Sequence, residues 1–231
     1  MKIISKIGLF LVLSILITGI VSAENATDIK TASEYAWNGT WSSPNYTMYI
    51  NQDESGISGA YVPMDLLEYD SGYLEGTLSS DGKTYSGIWI ESGKSTNTFS
   101  NDRMSFTING STDPQGPMTE PAQYTSNATR IGEIVDTANP WTGNYVSEWK
   151  SYNLTQDGFV ITGTNEPLPD NNDNPGVMNG TVSEDGMTSN GTWIEKGGFT
   201  FVMADEGNSM NVTITKSLEP DAIAEEMTFT R

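Results

Sequence analysis

Cysteine and histidine are both absent from this 231-residue sequence. The lack of cysteine excludes disulfide bonds, thiol nucleophiles and zinc–thiolate centres. The lack of histidine removes the most common general base and the most common metal ligand. Because most hydrolase and metalloenzyme mechanisms need one or the other, we expect a protein without a cofactor and without catalytic activity. A hydrolase that works with a pair of carboxylates is the remaining enzymatic alternative.

Basic residues are scarce. The chain has 11 lysine and arginine residues against 30 acidic ones, which gives a net charge of −19 and a pI of about 4.1. Nucleic acids and anionic membrane surfaces are bound through basic patches, which this composition does not supply. We therefore exclude nucleic acid as a partner and expect an acidic protein of the cell exterior.

Long apolar runs are missing except for one near the N-terminus, from Ile7 to Val21. Because the run ends in small residues, we predict that residues 1–23 are a cleaved signal peptide, followed by a polar leader at 24–34. The alternative is an uncleaved segment that anchors the protein, the one case in which we expect a membrane partner. Both interpretations predict a secreted or cell-surface protein.

The sequence does contain a partial copy of itself. Trp37–Gly93 aligns without a gap on Trp141–Gly197 at an offset of 104 residues, and 20 of the 57 aligned residues are identical. A match of this length predicts an internal duplication. The predicted boundaries are residues 35–130 for repeat one, 131–140 for a linker and 141–231 for repeat two.

Apolar and polar residues alternate within both repeats, which is the pattern of half-buried strands. The pattern predicts six or seven short strands per repeat, with turns at 53–56, 80–82 and 92–93 and, in repeat two, at 156–158, 184–186 and 196–198. The predicted fold class is all-β, with two tandem antiparallel β-meander domains. We expect each to be barrel-like, because closure removes exposed strand edges. One larger barrel built from both repeats is the alternative.

Repeat one contains, in order, Trp37-Asn38-Gly39-Thr40-Trp41, Ile57-Ser58-Gly59-Ala60-Tyr61 and Gly87-Ile88-Trp89-Ile90-Glu91, and repeat two echoes this order. The arrangement resembles a β-meander repeat of uncharacterised secreted bacterial and archaeal proteins. More distantly, it resembles avidin-like and lipocalin-like barrels, which also open on a Gly-x-Trp strand. The resemblance covers most of the chain after the signal peptide and implies a barrel-like fold. It implies no binding site, because no ligand contact of those barrels has a matching residue here.

The candidate ligand-binding residues are aromatic and acidic. Trp89 and Glu91, and likewise Trp193 and Glu195, are two residues apart in predicted strands and therefore share a face. If that face is internal, each pair offers an indole wall and a carboxylate anchor to a small molecule. In the competing interpretation each tryptophan fills a barrel and each glutamate lies at a solvated rim beside the predicted turn. Trp149 is the candidate for stacking on a sugar, because repeat one has asparagine at that position.

One acidic loop has the alternation of a calcium-binding loop, with oxygen-bearing side chains at Asp170, Asn172 and Asn174. Its glycine falls one place late for an EF-hand and the closing glutamate is missing. We expect at most a weak calcium site there, with a solvated loop as the competing interpretation.

Nine Asn-x-Ser/Thr sequons favour N-glycosylation of an exterior protein. Three of them, at Asn38, Asn179 and Asn190, lie in Asn-Gly-Thr sequences near predicted strand ends and are less suited to modification. The glycosylation candidates are the other six: Asn25, Asn45, Asn109, Asn127, Asn153 and Asn211.

These observations favour a noncatalytic extracellular or cell-envelope protein with a binding or structural role at a surface. A small-ligand carrier of the lipocalin or avidin type is the alternative, and a carbohydrate-active hydrolase is the third. The expected ligand is a carbohydrate or a small apolar molecule.

Overall fold

The computed structural model describes residues 36–65, 70–118, 120–171 and 173–231. In these residues the alternating segments form fourteen antiparallel β-strands, seven in each half of the chain, and there is no helix. The predicted all-β class is therefore confirmed. The predicted signal peptide and leader lie outside the described residues. The strands are β1 (Gly39–Ser42), β2 (Tyr46–Asp53), β3 (Gly56–Pro63), β4 (Gly72–Leu78), β5 (Thr84–Phe99), β6 (Ser105–Thr112), β7 (Ala122–Ile131), β8 (Gly143–Val146), β9 (Lys150–Asp157), β10 (Val160–Pro167), β11 (Gly176–Val182), β12 (Thr188–Met203), β13 (Ser209–Thr215) and β14 (Ala224–Thr230).

Each strand pairs with its neighbours in sequence, and a pairing of β1 with β14 closes the ring. The closing contact is short, since Ser42 opposite Thr230 is its single residue pair. A further pairing joins β5 to β12 across the ring. We call the eight strands β1–β5 and β12–β14 the first barrel and the eight strands β5–β12 the second barrel; β5 and β12 belong to both.

The two 16-residue strands β5 and β12 are the structural centre of the molecule. They pair with each other along almost their whole length, from Thr84 opposite Val202 to Thr98 opposite Thr188. On its other edge β5 pairs first with β4 and then with β6, and β12 pairs first with β11 and then with β13. Each long strand thus passes from one barrel into the other.

The turns predicted at 92–93 and 196–198 are therefore wrong, because both segments lie inside these strands. Glycine is required there for close packing rather than for a turn. A Cβ atom on Gly93 would lie 1.9 Å from the Ser111 carbonyl oxygen and 2.7 Å from the ring of Trp193. A Cβ atom on Gly197 would lie 1.9 Å from the Thr215 carbonyl oxygen and 2.6 Å from Trp89 Nε1. Each indole occupies the space of a missing side chain on the paired strand.

The other predicted turns do join strands, and a recurring hydrogen-bond pattern supports them. Ser79 donates its hydroxyl to Asp81 at 2.6 Å, and the same carboxylate accepts the backbone N–H of Lys83 at 3.0 Å. Gly82, Gly158 and Gly186 adopt positive φ angles of 69°, 58° and 71°. These are conformations that glycine reaches with little strain.

Two hydrophobic clusters form the core, one in each barrel, and each combines both halves of the sequence. The first packs Trp37, Trp41 and Tyr85 with Phe199, Phe201 and Phe229. The second packs Phe99 and Phe106 with Trp141 and Tyr145. The packing units therefore do not follow the repeat boundaries that the sequence suggests, because β12–β14 complete the first barrel and β5–β7 the second. The described residues from 36 onward belong to one compact unit. The internal duplication stays a prediction.

The two Thr-Arg sequences that end the repeats sit where the halves meet. Arg130, 5% exposed, lies 4.5 Å from the centre of the Tyr145 ring, and Arg231 lies 4.3 Å from the centre of the Trp41 ring. Arg130 also donates to the carbonyl oxygens of Thr142, at 2.9 Å, and Pro140. Each arginine thus joins the last strand of one half to the first strand of the other.

Candidate functional site

The main cavity has a volume of about 580 Å³ and extends across the region where the two barrels meet. Its walls come from both hydrophobic clusters, from the centre of β5 and β12 and from the loops that precede β4 and β11. All five candidate ligand-binding residues line it: Trp89, Glu91, Trp149, Trp193 and Glu195. The structure therefore collects into one cavity residues that the sequence presents as two separate pairs and a single tryptophan.

Glu91 and Glu195 face each other at the centre of the cavity wall. They are register partners in the β5–β12 ladder, and they are also equivalent residues at the repeat offset of 104. Two antiparallel strands are related by a local twofold axis at each residue pair. The axis at the Glu91–Glu195 pair is the one that exchanges equivalent residues of the two repeats. We call this position the repeat axis. Where the two repeats differ in residues close to the repeat axis, the site is asymmetric.

The solvated-rim interpretation of both glutamates is wrong, because β5 and β12 continue past them. Glu91 is 5% exposed and Glu195 is 2% exposed. The hydroxyl of Tyr61 donates to Glu91 Oε1 at 2.8 Å, and Asn174 Nδ2 donates to Glu91 Oε2 at 3.3 Å. Burial raises the pKa of Glu91 well above its usual value, and the nearby carboxylates of Asp70 and Glu195 raise it further.

Glu195 has a different partner. Lys150 Nζ donates to Glu195 Oε1 and also lies 3.1 Å from Asp173 Oδ1. Burial raises the pKa of Glu195 to about 8, although the lysine acts in the opposite direction. Burial acts to lower the pKa of Lys150, but the two carboxylates outweigh it and hold that pKa above its usual value. Lys150 is therefore a charged ammonium group inside the cavity wall.

A third carboxylate, that of Asp70, completes the cluster from the loop before β4. Each of Asp70, Glu91 and Glu195 places a carboxylate oxygen within 4.8 Å of the other two. The hydroxyl of Thr112 donates to Asp70 Oδ1, while burial raises the pKa of Asp70. We call these three residues the carboxylate cluster.

Several buried polar atoms on the cavity wall have no hydrogen-bond partner among the described residues. They are Ser126 Oγ, Asn165 Oδ1, Trp193 Nε1 and Glu195 Oε2. Buried polar groups in native proteins are nearly always paired, and leaving one unpaired costs about 1–3 kcal/mol. All four of these atoms belong to side chains that line one cavity.

The three tryptophans of the cavity differ in environment. Trp89 donates its indole N–H to the Thr215 carbonyl oxygen at 2.8 Å, whereas the equivalent N–H of Trp193 has no partner among the described residues. Trp149 is 40% exposed, and Asn45, its exposed counterpart in repeat one, also lines the cavity. The cavity thus reaches the solvent beside Trp149.

Several residues of the site were missed by sequence reasoning: Tyr61, Asp70, Lys150, Asn165 and Asp173. The signal that points to them is a difference between the repeats rather than a match. At the offset of 104, Tyr46 corresponds to Lys150, Tyr61 to Asn165 and Asp70 to Asn174. All six line the cavity. Both repeats contribute the same strands and the same Trp–Glu pair around the repeat axis. The residues that differ between the repeats determine the chemistry of the site.

The described residues of the predicted calcium loop lie in different environments. Asp170 is exposed, while Asn174 reaches the cavity and donates to Glu91. Asn172 lies outside the described residues. Asp173, between the last two candidates, pairs with Lys150. The weak calcium site at this loop stays a prediction.

Five of the six glycosylation candidates lie at exposed positions on loops or on outward faces of strands; these are Asn45, Asn109, Asn127, Asn153 and Asn211. The sixth, Asn25, lies outside the described residues. The less suited sequons at Asn38, Asn179 and Asn190 are exposed as well. Glycosylation of these side chains stays a prediction.

The site combines an aromatic wall, three close carboxylates, one ammonium group and free hydrogen-bonding atoms. Such a set can hold a polar or cationic group by hydrogen bonds and charge, and it can hold an apolar body against rings and aliphatic side chains. No family model, curated protein or solved structure matches the chain. Within the described residues, no helix is long and apolar enough to cross a membrane.

Proposed function

We propose that this protein is a noncatalytic binding protein of the cell exterior that holds a small organic molecule in the cavity shared by its two barrels. The observation that carries the proposal is a cavity of about 580 Å³ whose wall combines aromatic, apolar, carboxylate and ammonium side chains. That volume lies within the range of about 300–1,000 Å³ that is typical of small-molecule sites.

The lining favours a ligand with an apolar body and a polar end. Leu74, Phe201, Val212 and Phe229 provide apolar wall from the first barrel, and Ile108 provides it from the second. Polar groups are present at the repeat axis, where three carboxylates lie close together. A molecule of this kind would bury its apolar part against these side chains and place its polar end near the carboxylates.

The aromatic residue at the solvent side of the cavity supports entry of such a molecule there. Trp149 lines the cavity and remains 40% exposed, and the fold does not require tryptophan at this position because Asn45 replaces it in repeat one. A half-exposed indole stacks on a sugar or on another flat face. The exposed sequons and the acidic composition are consistent with an extracellular setting.

Native mass spectrometry of the full-length gene product, purified from its own host without denaturation, tests the proposal. We expect extra mass that leaves on gentle activation. The variant Ser126→Leu adds bulk at a buried, cavity-lining position and should abolish that mass. Its neighbour on the outer face provides the control: Thr125→Leu should retain the ligand.

Three outcomes would contradict the proposal. The first is a wild-type protein that shows only polypeptide and covalent glycan mass. The second is loss of the extra mass in both variants, and the third is its retention in both. Each would show that the bound mass, if any, does not occupy this cavity.

A further inference from the structure

We propose that Asp70, Glu91 and Glu195 bind a hard divalent cation at the repeat axis, and that Ca²⁺ is the favoured ion. Their carboxylate oxygens lie within 4.8 Å of one another. Ca²⁺ binds oxygen ligands at 2.3–2.6 Å, so two ligands on opposite sides of one ion are about 4.6–5.2 Å apart. The cluster therefore has the dimensions of a single coordination sphere.

A second, independent observation is a pair of free oxygen acceptors at the same place. Glu195 Oε2 and Asn165 Oδ1 are buried and have no hydrogen-bond partner among the described residues. The two side chains are neighbours, since a Cβ atom built on Gly176 would lie 2.7 Å from Glu195 Cγ and 3.0 Å from Asn165 Nδ2. Both free atoms are acceptors, so a cation satisfies both, and an amide carbonyl is an ordinary ligand of Ca²⁺.

A bound cation would also improve the local charge balance when the carboxylates are ionised. Asp173 and the carboxylate cluster provide four acidic groups, against the single ammonium of Lys150. Lys216, the other lysine on the cavity wall, forms an ion pair with Glu225 at 3.4 Å. When all four carboxylates are ionised, three negative charges remain without compensation in a buried site, which is unfavourable unless a cation joins them.

The available donors select a hard ion. All the candidate ligands are carboxylate or amide oxygens, and the chain contains no cysteine or histidine that would favour a softer metal. Lys150 already supplies ammonium donors to Glu195 and Asp173. The site lies at the repeat axis, away from the exposed Asp170 of the loop that the sequence suggests for calcium.

The first test is calorimetric titration of the chelator-treated full chain with CaCl₂, MgCl₂ and MnCl₂. We expect one Ca²⁺ per chain with a dissociation constant of about 10⁻³ M or tighter, the range of extracellular calcium modules. Asp70→Asn gives repeat one the residue that repeat two has at the equivalent position, and Glu195→Gln preserves the shape of its side chain. Both should weaken binding at least tenfold, a factor that corresponds to about 1.4 kcal/mol.

Asp170→Asn is the matched control, because it removes the same charge from an exposed position of the calcium loop predicted from the sequence. It should leave the affinity unchanged. Loss of binding in Asp170→Asn but not in Asp70→Asn would overturn the proposal. So would the absence of binding of all three ions by the wild-type protein at about 10 mM, well above the expected dissociation constant.

A second measurement needs no variant. Terbium replaces Ca²⁺ in oxygen sites and emits light when a nearby indole is excited. Trp89 lies two residues from Glu91 and Trp193 two residues from Glu195, on the same strand faces. We expect emission on indole excitation that excess Ca²⁺ suppresses. Terbium that binds without this emission would place the ion elsewhere and overturn the proposal. Both titrations are made without an organic ligand, so their outcome is independent of the mass-spectrometric test.

Discussion

Gly197 provides the sharpest test of how the two long strands pack. In Gly197→Ala the new Cβ atom would lie 1.9 Å from the Thr215 carbonyl oxygen and 2.6 Å from Trp89 Nε1. Real Cβ atoms essentially never lie within 3.0 Å of such an atom, so β12 and β13 must separate locally. The same carbonyl accepts the indole N–H of Trp89 at 2.8 Å, and this bond would be lost.

The expected cost is the sum of two effects. Overpacking of a well-packed site costs about 1–3 kcal/mol, and a buried hydrogen bond that loses its partner costs about 1–3 kcal/mol more. We therefore expect Gly197→Ala to lower the free energy of unfolding by about 2–6 kcal/mol. The next residue provides the comparison, because a Cβ atom on Gly198 would lie 3.0 Å from the Thr215 hydroxyl, which accepts the Gly198 N–H at 2.8 Å, and 3.9 Å from the Gly87 carbonyl oxygen. Both contacts are longer than those at Gly197. Gly198→Ala should cost less than about 1 kcal/mol.

Urea unfolding followed by tryptophan fluorescence measures both variants. Gly197→Ala should lower the midpoint, and its emission should shift because Trp89 is displaced. If Gly197→Ala unfolded within about 0.5 kcal/mol of the wild type, or if Gly198→Ala were equally destabilised, the close packing of indole and strand would be refuted.

Two further predictions concern buried charges. Arg130→Met should lower the free energy of unfolding by about 3 kcal/mol, because it leaves two buried carbonyl oxygens without their charged donor; Arg231→Met, at the exposed counterpart, should cost less than about 1 kcal/mol, and equal losses by thermal unfolding would contradict this assignment. Burial raises the pKa of Glu195 to about 8, above its value in the unfolded chain, so its contribution to stability is present below about pH 4.5 and is lost as the pH rises towards 8. In chelator-treated protein, Glu195→Gln should therefore lose less free energy of unfolding than the wild type between pH 5 and about 8. If denaturant titrations gave the same pH dependence of that free energy for both proteins, they would contradict a buried carboxyl group at this position.

Strand content and most turns follow from local features of the sequence. Alternation from Tyr46 to Gln52 and the Asp81-Gly82 and Asp185-Gly186 pairs are sufficient to predict hairpins, because side-chain period and turn conformation are decided within a few residues. The same reasoning fails at Gly93 and Gly197. A glycine that leaves space for an indole on the paired strand cannot be told from a turn glycine by the neighbouring sequence. Only the long-range strand pairing distinguishes the two cases.

The division into barrels also depends on long-range pairing. The repeat suggests that each half closes on itself, but β5 and β12 are long enough to serve both barrels, and each half supplies strands to the other core. Whether a meander closes on itself or on its copy depends on contacts more than 90 residues apart, such as that of Ser189 with Asn97. No periodicity within one repeat contains that information.

The site was only partly predictable for a related reason. The tryptophan–glutamate pairs were recognisable because they recur in both repeats, and Trp149 because it does not. Lys150 and Asp70 were passed over, since a single lysine or aspartate on a loop or strand end is usually solvated. The difference between the repeats marks both positions, but it does not place them in a site until the equivalent glutamates meet across the β5–β12 ladder and bring both neighbourhoods into one cavity.

The register in which β5 and β12 pair joins the two halves around one cavity. Thr96 and Asn190 are exposed register partners, and the threonine hydroxyl donates to the asparagine side chain at 2.7 Å. Directly opposed residues of antiparallel strands have Cα atoms about 4.5–5.5 Å apart, a separation that a disulfide can bridge. The chain has no other cysteine to compete.

The most direct measurement is therefore oxidation of the double variant Thr96→Cys/Asn190→Cys, followed by peptide mapping. We expect rapid formation of one intramolecular disulfide between the two halves. The off-register pair Thr96→Cys/Thr200→Cys, on the same outer face, should remain reduced. If the register pair stayed reduced, or if both pairs were oxidised equally, the halves would not be joined through this ladder, and the shared cavity and its carboxylate cluster would be contradicted.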